Sequence, residues 1–405
     1  MSGKRLNNIF MIVAAAVIAF GAGVFFSDDI YARIAVNATA LDKDQSQRYS
    51  EILEKISELD SVLDTYYLEA DNIDPDEMMD NLYKGYISGL DERYTAYYTP
   101  EEYEQLMNDS QGVYVGIGVT VTTDQETGNM VIVSVTEDGP GEAAGLLEGD
   151  TIISIEGESV QDMDLDTAVS KIQGEEGTEV TIGVYRESTG ETLEKTMTRR
   201  KMDAQTVAYS MLKDNIGYIQ ITAFDEVTVE QFDNAVSDLQ SQNIRGLIVD
   251  VRGNPGGNVD SVCSILDRLL PEGLLAAEAC SEHTTSAKAD EYADNEEVLD
   301  IPMAVLVNGD SASASEIFAA ALQDYDWAEI VGEQTYGKGI VQYIIPLSDG
   351  SAVKLTSAKY YTPNGECIHG IGVTPDVKVA ADENSASDTQ LEAAVSEVEK
   401  MLQSD

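Results

Sequence analysis

Histidine is nearly absent from this sequence. The 405 residues include only two, His283 and His369, which lie in a polar stretch and a turn-rich stretch respectively. Neither has an obvious acidic partner in the neighbouring sequence. Because histidine is the side chain that most often removes the proton from a catalytic serine, its scarcity restricts the chemistry open to the protein. A histidine-dependent hydrolase using His369 stays open as an alternative.

Cysteine and basic residues are also scarce. The three cysteines, Cys263, Cys280 and Cys367, lack the paired spacing of zinc sites, and an odd, sparse set is not a disulfide framework. We expect them to be small buried residues. With 24 basic against 74 acidic residues, the formal charge of −50 disfavours a nucleic-acid partner. Neither a phosphate-binding G-x-x-x-x-G-K-[ST] loop nor an H-E-x-x-H zinc motif occurs, so no metal or other cofactor is predicted.

One long apolar run is present, from Ile9 to Phe26, preceded by Lys4 and Arg5. Its eighteen uncharged residues reach the lower limit for crossing a bilayer, and the basic flank favours a cytoplasmic N-terminus. The first A-x-A sequence after this run, at residues 38–40, lies far downstream of it. We therefore predict an uncleaved single-pass anchor in the cell membrane, with the rest of the chain extracytoplasmic. A cleaved signal peptide would instead leave a mature protein beginning near Leu41.

The patterning changes several times along the chain. Residues 27–111 show helical spacing and no cluster of chemistry-bearing residues, which predicts packing or dimerisation surface. Residues 112–200 alternate short β-rich runs with glycine turns around one helix, Asp164–Ile172. Residues 201–380 alternate strands and helices, which predicts a largely parallel sheet with ligand-binding loops at its carboxyl edge. A closing helix follows in residues 381–405.

The run GDSASASE (309–316) is the most informative stretch for chemistry, because small residues let a substrate approach and serine offers a hydroxyl. Ser313-Ala314-Ser315-Glu316 also fits a capping box, a purely structural role. The two roles are compatible, since the first turn of a helix has free amides that stabilise a developing oxyanion. These residues alone do not decide among Ser311, Ser313 and Ser315.

Lysine is the alternative base. Lys338 lies between two glycines and leads into an apolar strand, where burial would lower its pKa from near 10.4. A surface lysine in a turn fits the same pattern. The loop RGNPGG (252–257) has consecutive glycines whose amides could face a cavity, although an ordinary turn between strand and helix explains it equally well.

At these residues the chain resembles the carboxyl-terminal processing proteases, also called tail-specific proteases. The matching segments are VRGNPGG, GDSASASEIFAAALQD, VGEQTYGKGIVQ and YYTPNGECIHGIGVTPD, in the family's order. The resemblance implies a mixed α/β protein with a helical N-terminal region, a PDZ module and a ClpP/crotonase-like protease core. It also implies a serine endopeptidase in which Ser313 is the nucleophile, Lys338 the general base and Gln342 the residue that orients it. The implied oxyanion donors are the amides of Ala314 and of Gly257 or Gly256, with Gly257 preferred.

Residues 112–200 resemble a PDZ domain. The implied carboxylate-binding loop comprises Val115, Gly116, Ile117, Gly118 and Val119, which would capture the apolar C-terminus of a protein substrate as an added strand. One departure is Gln173, where similar proteins often have a basic residue that could couple binding to activation. A regulatory partner and a homodimer are compatible with the resemblance. The alternative from another class is a peptide-binding scaffold whose core is idle.

Overall fold

The computed structural model describes residues 43–124, 127–161, 163–280, 290–293, 298–382, 385 and 387–404. The chain divides into two compact units, Asn108–Thr206 and the remainder, Met1–Met107 with Val207–Asp405. The predicted anchor at residues 9–26 and His283 lie outside the described residues. Within the described part of the chain, none of the helices combines the length and the apolar character that crossing a bilayer requires.

The N-terminal region is helical as predicted for most of its length. It contains α1 (Lys43–Tyr66), α2 (Pro75–Ser88) and α3 (Pro100–Gln111). Asp74 caps α2, because its Oδ1 accepts the amides of the first helical turn. The uniform helical pattern was wrong at one place, where Ala96–Tyr98 forms strand β1. These three residues pair with a strand of the larger unit more than 250 residues later, which local spacing cannot reveal.

A six-stranded sheet forms the centre of the larger unit. Its strands run in the order β10, β11, β12, β15, β16 and β19, and all neighbours are parallel except β10 and β11. The predicted largely parallel sheet is therefore confirmed. The bounds are β10 Val207–Met211, β11 Ile216–Ile221, β12 Gly246–Asp250, β15 Met303–Val307, β16 Glu329–Gly332 and β19 Val377–Lys378.

Helices cover both faces of this sheet, which explains why all five residues of β12 and of β15 are buried. On one face Val249 packs in a core with side chains of α6 (Glu226–Ser241), α7 (Val259–Leu269) and α8 (Ala314–Asp324). On the other face Ile248 packs against α9 (Thr389–Ser404). The loops that follow β12 and β15 therefore emerge together at the carboxyl edge.

A second, antiparallel sheet supports the segment between β16 and β17 that contains Lys338, called the lysine loop below (residues 333–339). It contains β1, β13 (Gly273–Cys280), β14 (Asp290–Ala293), β17 (Ile340–Pro346) and β18 (Ala352–Tyr361). Strand β18 pairs with β1 and β13, and separately with β17. Lys338 lies two residues before β17, so this sheet sets where that loop begins.

The smaller unit is rich in β-structure. Its main sheet has the order β3-β4-β5-β7-β8, β6 pairs with β5, and β2 pairs with β9. The bounds are β2 Val113–Gly116, β3 Val119–Thr123, β4 Met130–Val135, β5 Thr151–Ile155, β6 Glu158–Ser159, β7 Glu179–Arg186, β8 Glu191–Thr198, β9 Arg200–Asp203, α4 Pro140–Ala143 and α5 Leu165–Ile172. Asp164 caps α5 by accepting the Thr167 amide at 2.8 Å. The unit has its own core, in which α5 contributes Ala168 and Ile172.

Candidate active site

Ser313 is the residue immediately before α8, and its backbone is strained. Its φ of 56° and ψ of −114° lie in a region that residues other than glycine rarely adopt. Two contacts hold this conformation. The Ser313 amide donates to the Glu316 carboxylate at 2.9 Å as part of the predicted capping box, and the Tyr360 hydroxyl donates to the Ser313 carbonyl oxygen at 3.1 Å. Strain maintained in this way is typical of a functional residue.

The three serines of the run have different surroundings. The Ser311 hydroxyl donates to the Val251 carbonyl oxygen at 2.7 Å, and the Ser315 hydroxyl donates to the Asn254 carbonyl oxygen at 2.9 Å. Both serines are fully buried, whereas Ser313 is partly exposed. Of the three hydroxyls, the one that a substrate can reach is therefore that of Ser313.

The loop RGNPGG (residues 252–257, the glycine loop) lies directly against the loop that leads into α8 (residues 308–313, the serine loop). Gly256 has a φ of +108°, and a Cβ added to it would lie 2.7 Å from the Ala312 carbonyl oxygen and 2.8 Å from the Ser313 Cβ. Buried Asn254 fixes this approach, because its side chain accepts the Gly256 amide at 2.8 Å and its carbonyl oxygen accepts the Ala312 amide at 3.1 Å. Only glycine fits at position 256.

Two backbone amides at this junction remain open. Among the described residues, neither the Gly257 amide nor the Ala314 amide donates a hydrogen bond, whereas the Gly256 amide is taken by Asn254. Ala314 is the first residue of α8, where amides have no partner within the helix. The two open amides are thus donors that an oxyanion could use.

A single buried carboxylate joins the serine loop to the lysine loop. Glu316 is fully buried, and besides the Ser313 amide it accepts the Lys338 amide at 2.8 Å and the Gly337 amide at 2.7 Å. The Thr335 hydroxyl donates to it at 2.6 Å. The sequence identified Glu316 only as a helix cap. One feature of the sequence could have revealed more. Glu316 directly precedes the apolar helical residues IFAAAL, and a carboxylate buried there needs several hydrogen-bond donors.

The Lys338 ammonium group rests on an aromatic face. Its Nζ lies 4.7 Å from the centroid of the Tyr94 ring. Burial lowers the pKa of Lys338 from its usual value of 10.5, and the positive charges of Lys354 and Arg93 lower it further. Among the described residues, the Lys338 side chain donates no hydrogen bond, so it contacts neither the Ser313 hydroxyl nor the Gln342 side chain in that way.

Gln342 instead faces the neighbouring strand. Its Nε2 lies 3.5 Å from the Thr356 Oγ1 across the β17–β18 pair, next to a β-bulge at Val341. The Thr356 hydroxyl in turn donates to the Glu92 carboxylate at 2.9 Å. The sequence indicated no cluster of chemistry-bearing residues in residues 27–111, and it did not reveal these contacts. The segment containing Glu92 and Tyr94 reaches the lysine loop through long-range contacts.

His369 lies near the lysine loop through its backbone. A Cβ added to Gly339 would lie 2.6 Å from the His369 amide nitrogen. The His369 side chain itself is exposed, and within the described residues it makes no hydrogen bond or ion pair.

A groove in the smaller unit is lined by the predicted carboxylate-binding loop and one side of α5; its residues are Tyr114, Gly116, Ile117, Gly118, Val119, Val121, Val169, Ile172 and Gln173.

Comparisons with known proteins show the family of the chain. Residues 215–379 match peptidase family S41, and residues 131–186 match the PDZ domain. Over 371 residues the chain is 34% identical to a carboxy-terminal-processing protease of Bartonella bacilliformis, covering 90% of this chain and 82% of that one. The chain belongs to the carboxy-terminal processing proteases of family S41. This family identity makes the protein a serine-type peptidase with a PDZ domain.

Other members of the S41 family extend the comparison. The carboxy-terminal processing protease CtpA of Bacillus subtilis is 32% identical over 376 residues, covering 93% of this chain and 77% of that one. A solved structure from Bacteroides fragilis assigned to the S41 proteases is 19% identical, with a TM-score of 0.53, and covers 85% of this chain and 97% of that one. At that identity the likeness concerns the fold.

Proposed function

We propose that this S41 protease cuts protein substrates near their C-termini with a Ser–Lys pair, Ser313 as nucleophile and Lys338 as general base. The observation that carries the proposal is the Glu316 carboxylate. It binds the backbone of both residues, and so ties the accessible, strained serine to the loop of a lysine with a lowered pKa. A lysine is a useful base near neutral pH only when its pKa is lowered in this way.

The reaction begins with neutral Lys338. Its amine leaves the Tyr94 ring, takes the Ser313 hydroxyl proton, and Ser313 Oγ attacks the substrate carbonyl. The oxyanion accepts hydrogen bonds from the Gly257 and Ala314 amides, and the lysine proton passes to the departing amine. Water activated by Lys338 then hydrolyses the acyl-enzyme. Gln342 orients Lys338 during these steps, as the family resemblance implies.

Substrate selection belongs to the PDZ unit in this proposal. The groove between the loop at Gly116–Val119 and helix α5 is apolar, which suits an apolar C-terminal side chain. The substrate tail adds as a strand beside β3, and backbone amides of the loop hold its carboxylate. Gln173 lines the groove without a positive charge, so any coupling between tail binding and activation uses another residue.

The proposal includes the surroundings of the enzyme. The apolar run at residues 9–26 anchors the chain in the cell membrane with the protease outside the cytoplasm. Helices α1 and α2 and the turn after α1 expose large apolar side chains such as Leu53, Tyr86 and Leu68 respectively, which supports a homodimer or a regulatory partner at this surface.

The test uses an unstructured reporter protein with an apolar C-terminus. Wild-type protein should shorten the reporter, Ser313→Ala and Lys338→Ala should each abolish cleavage, and His369→Ala should cut normally. Mass spectrometry of the products locates the cut. Full activity of Lys338→Ala would refute the Ser–Lys mechanism, and dependence on His369 would favour a histidine-dependent hydrolase. Wild-type protein that binds the tail and leaves it intact would instead be a peptide-binding scaffold.

A further inference from the structure

Gln342 belongs to a chain of hydrogen-bonding groups that ends at Glu92. Gln342 Nε2 lies 3.5 Å from Thr356 Oγ1, and Thr356 Oγ1 lies 2.9 Å from Glu92 Oε2. Glu92 is separated from Thr356 by 264 positions in the sequence. The same carboxylate accepts the Thr95 hydroxyl at 2.7 Å and the Tyr94 amide at 3.1 Å. One acidic side chain therefore contacts both the support of Gln342 and the residue whose ring faces Lys338.

The chemistry of these groups sets the direction of each hydrogen bond. A carboxylate only accepts, so the single Thr356 hydroxyl proton points to Glu92. The Thr356 oxygen can then only accept from Gln342, and it requires the NH₂ side of that amide. The Gln342 carbonyl oxygen is consequently directed away from Thr356, where it is available to an N–H donor. Lysine is such a donor in both of its protonation states.

Glu92 is suited to this acceptor role. Burial raises its pKa, but the hydrogen bonds from Thr95, Tyr94 and Thr356 outweigh burial, so the pKa of the carboxyl lies below its usual value of 4.5. The side chain is therefore ionised at neutral pH. Strand β1 begins at Ala96, only four residues later, and pairs with β18, which contains Thr356. This pairing holds Glu92 beside Thr356.

We propose that Glu92 is a positioning residue of the protease site, which acts through Thr356 to turn the Gln342 carbonyl oxygen toward the amine of Lys338. Its contact with the Tyr94 amide holds the aromatic ring on which the lysine rests. The inference rests on the proposed function, because it requires Lys338 to be the base and Gln342 to orient it. Like Tyr94, Glu92 comes from the helical N-terminal region, whereas Ser313, Lys338 and Gln342 lie in the C-terminal two thirds of the larger unit.

Glu92→Gln is a sharp perturbation. It keeps the shape of the side chain but reverses the direction of the hydrogen bonds that run from Gln342 through Thr356 to residue 92. The glutamine oxygen can still accept the Tyr94 amide, so its NH₂ group faces the hydroxyls of Thr95 and Thr356, which can rotate. Thr356 then accepts from residue 92, and its own proton, no longer held by a carboxylate, is free to be donated to the Gln342 carbonyl oxygen. That donation turns the Gln342 NH₂ group toward Lys338, where it opposes another donor.

The experiment measures kcat and KM on an apolar-tailed peptide reporter with full-length protein. Glu92→Gln should lower kcat by about tenfold with KM changed less than about twofold, since misorientation of a catalytic group affects the chemical step. Thr356→Val should lower kcat by a similar factor, and Thr356→Ser should retain the wild-type kcat because it keeps the hydroxyl. The matched control is Glu101→Gln, an exposed glutamate of the same region. Thermal unfolding of each variant monitors folding.

A double-mutant cycle separates positioning from a structural role. In a Gln342→Ala background, Glu92→Gln should cost no further kcat, because its target is gone. Additive losses in the cycle, or a Glu92→Gln enzyme within about twofold of wild-type kcat, would overturn the inference. A Gln342→Ala enzyme with wild-type kcat would overturn it too, since nothing would need positioning. None of these results touches the Ser313→Ala and Lys338→Ala test of the proposed function, so the two failures are distinguishable.

Discussion

Replacement of Glu316 by glutamine tests the buried connection between the serine and lysine loops. The carboxylate uses both oxygens, each for two donors. Oε2 accepts the Ser313 and Lys338 amides, and Oε1 accepts the Thr335 hydroxyl and the Gly337 amide. Glutamine has nearly the same shape but only one acceptor oxygen, so two of the four donors must face an NH₂ group.

The expected loss of unfolding free energy depends on which two hydrogen-bond donors lose their acceptor oxygen. Glutamine should turn its NH₂ group toward Thr335 because a hydroxyl can rotate to accept, whereas the two amides on the other side cannot. The buried Gly337 amide is then left unpaired, at a cost of about 1–3 kcal/mol. The amides of Ser313 and Lys338 keep an acceptor but lose the assistance of a charge, worth about 1 kcal/mol more. We expect Glu316→Gln to lower the free energy of unfolding by about 2–4 kcal/mol.

The assay is urea unfolding followed by tryptophan fluorescence. Trp327 is the single tryptophan of the sequence and lies three residues after α8, so it reports on the unit that contains the site. This avoids mixing the two compact units into one transition. Glu333→Gln, at an exposed glutamate, is the matched control. Cleavage should fall by at least about tenfold, because both loops lose their common support.

An unfolding free energy within about 0.5 kcal/mol of wild type would refute this reasoning. It would mean that the desolvation of the buried charge offsets its four hydrogen bonds, as happens for some buried ion pairs. Loss of stability without loss of cleavage would show that the connection supports the fold alone.

Four further outcomes are expected. The kcat/KM of the wild type should rise with pH through a midpoint below 10.5, because burial lowers the pKa of Lys338; Lys354→Met should move this midpoint upward by removing a nearby positive charge, and an unmoved midpoint would contradict the electrostatic cause. The lowered pKa also means that charged Lys338 destabilises the fold, so Lys338→Met should raise the urea midpoint below that pKa and have no effect above 10.5. Gly256→Ala should abolish cleavage, since the new Cβ would lie 2.7 Å from a backbone oxygen; normal turnover would show that the loop can move aside. Ser311→Ala and Ser315→Ala should each lower the free energy of unfolding by about 1–3 kcal/mol yet still cleave the reporter, and an inactive, stable variant would point to a different nucleophile.

Much of this protein could be predicted from local patterns. The alternation of strands and helices in residues 201–380 indicated the largely parallel sheet, in which strands Gly246–Asp250 and Met303–Val307 are buried because helices cover both faces. The helix predicted at Asp164–Ile172 is present as α5, which begins one residue later at Leu165. These features depend on residues within a few positions of one another, and for that reason they are legible without a structure.

The candidate site was only partly accessible in this way. The serine run, the glycine loop and Lys338 could be singled out because each is a short pattern with a chemical reason. The sequence treated Glu316 as a helix cap, since its contacts with the lysine loop lie 19 to 22 residues away and leave no periodic trace. It identified no role for the segment at Glu92 and Tyr94.

The sequence by itself determined the residue types, the order of the elements and the family to which the chain belongs. Tertiary structure decided which groups are accessible. The hydroxyls of Ser311 and Ser315 are buried and hydrogen-bonded, whereas a substrate can reach the hydroxyl of Ser313. Asn254 accepts the Gly256 amide, whereas among the described residues the Gly257 amide has no acceptor. The physical reason is that a hydrogen-bonding group is committed by its neighbours in space, and those neighbours come from distant parts of the chain.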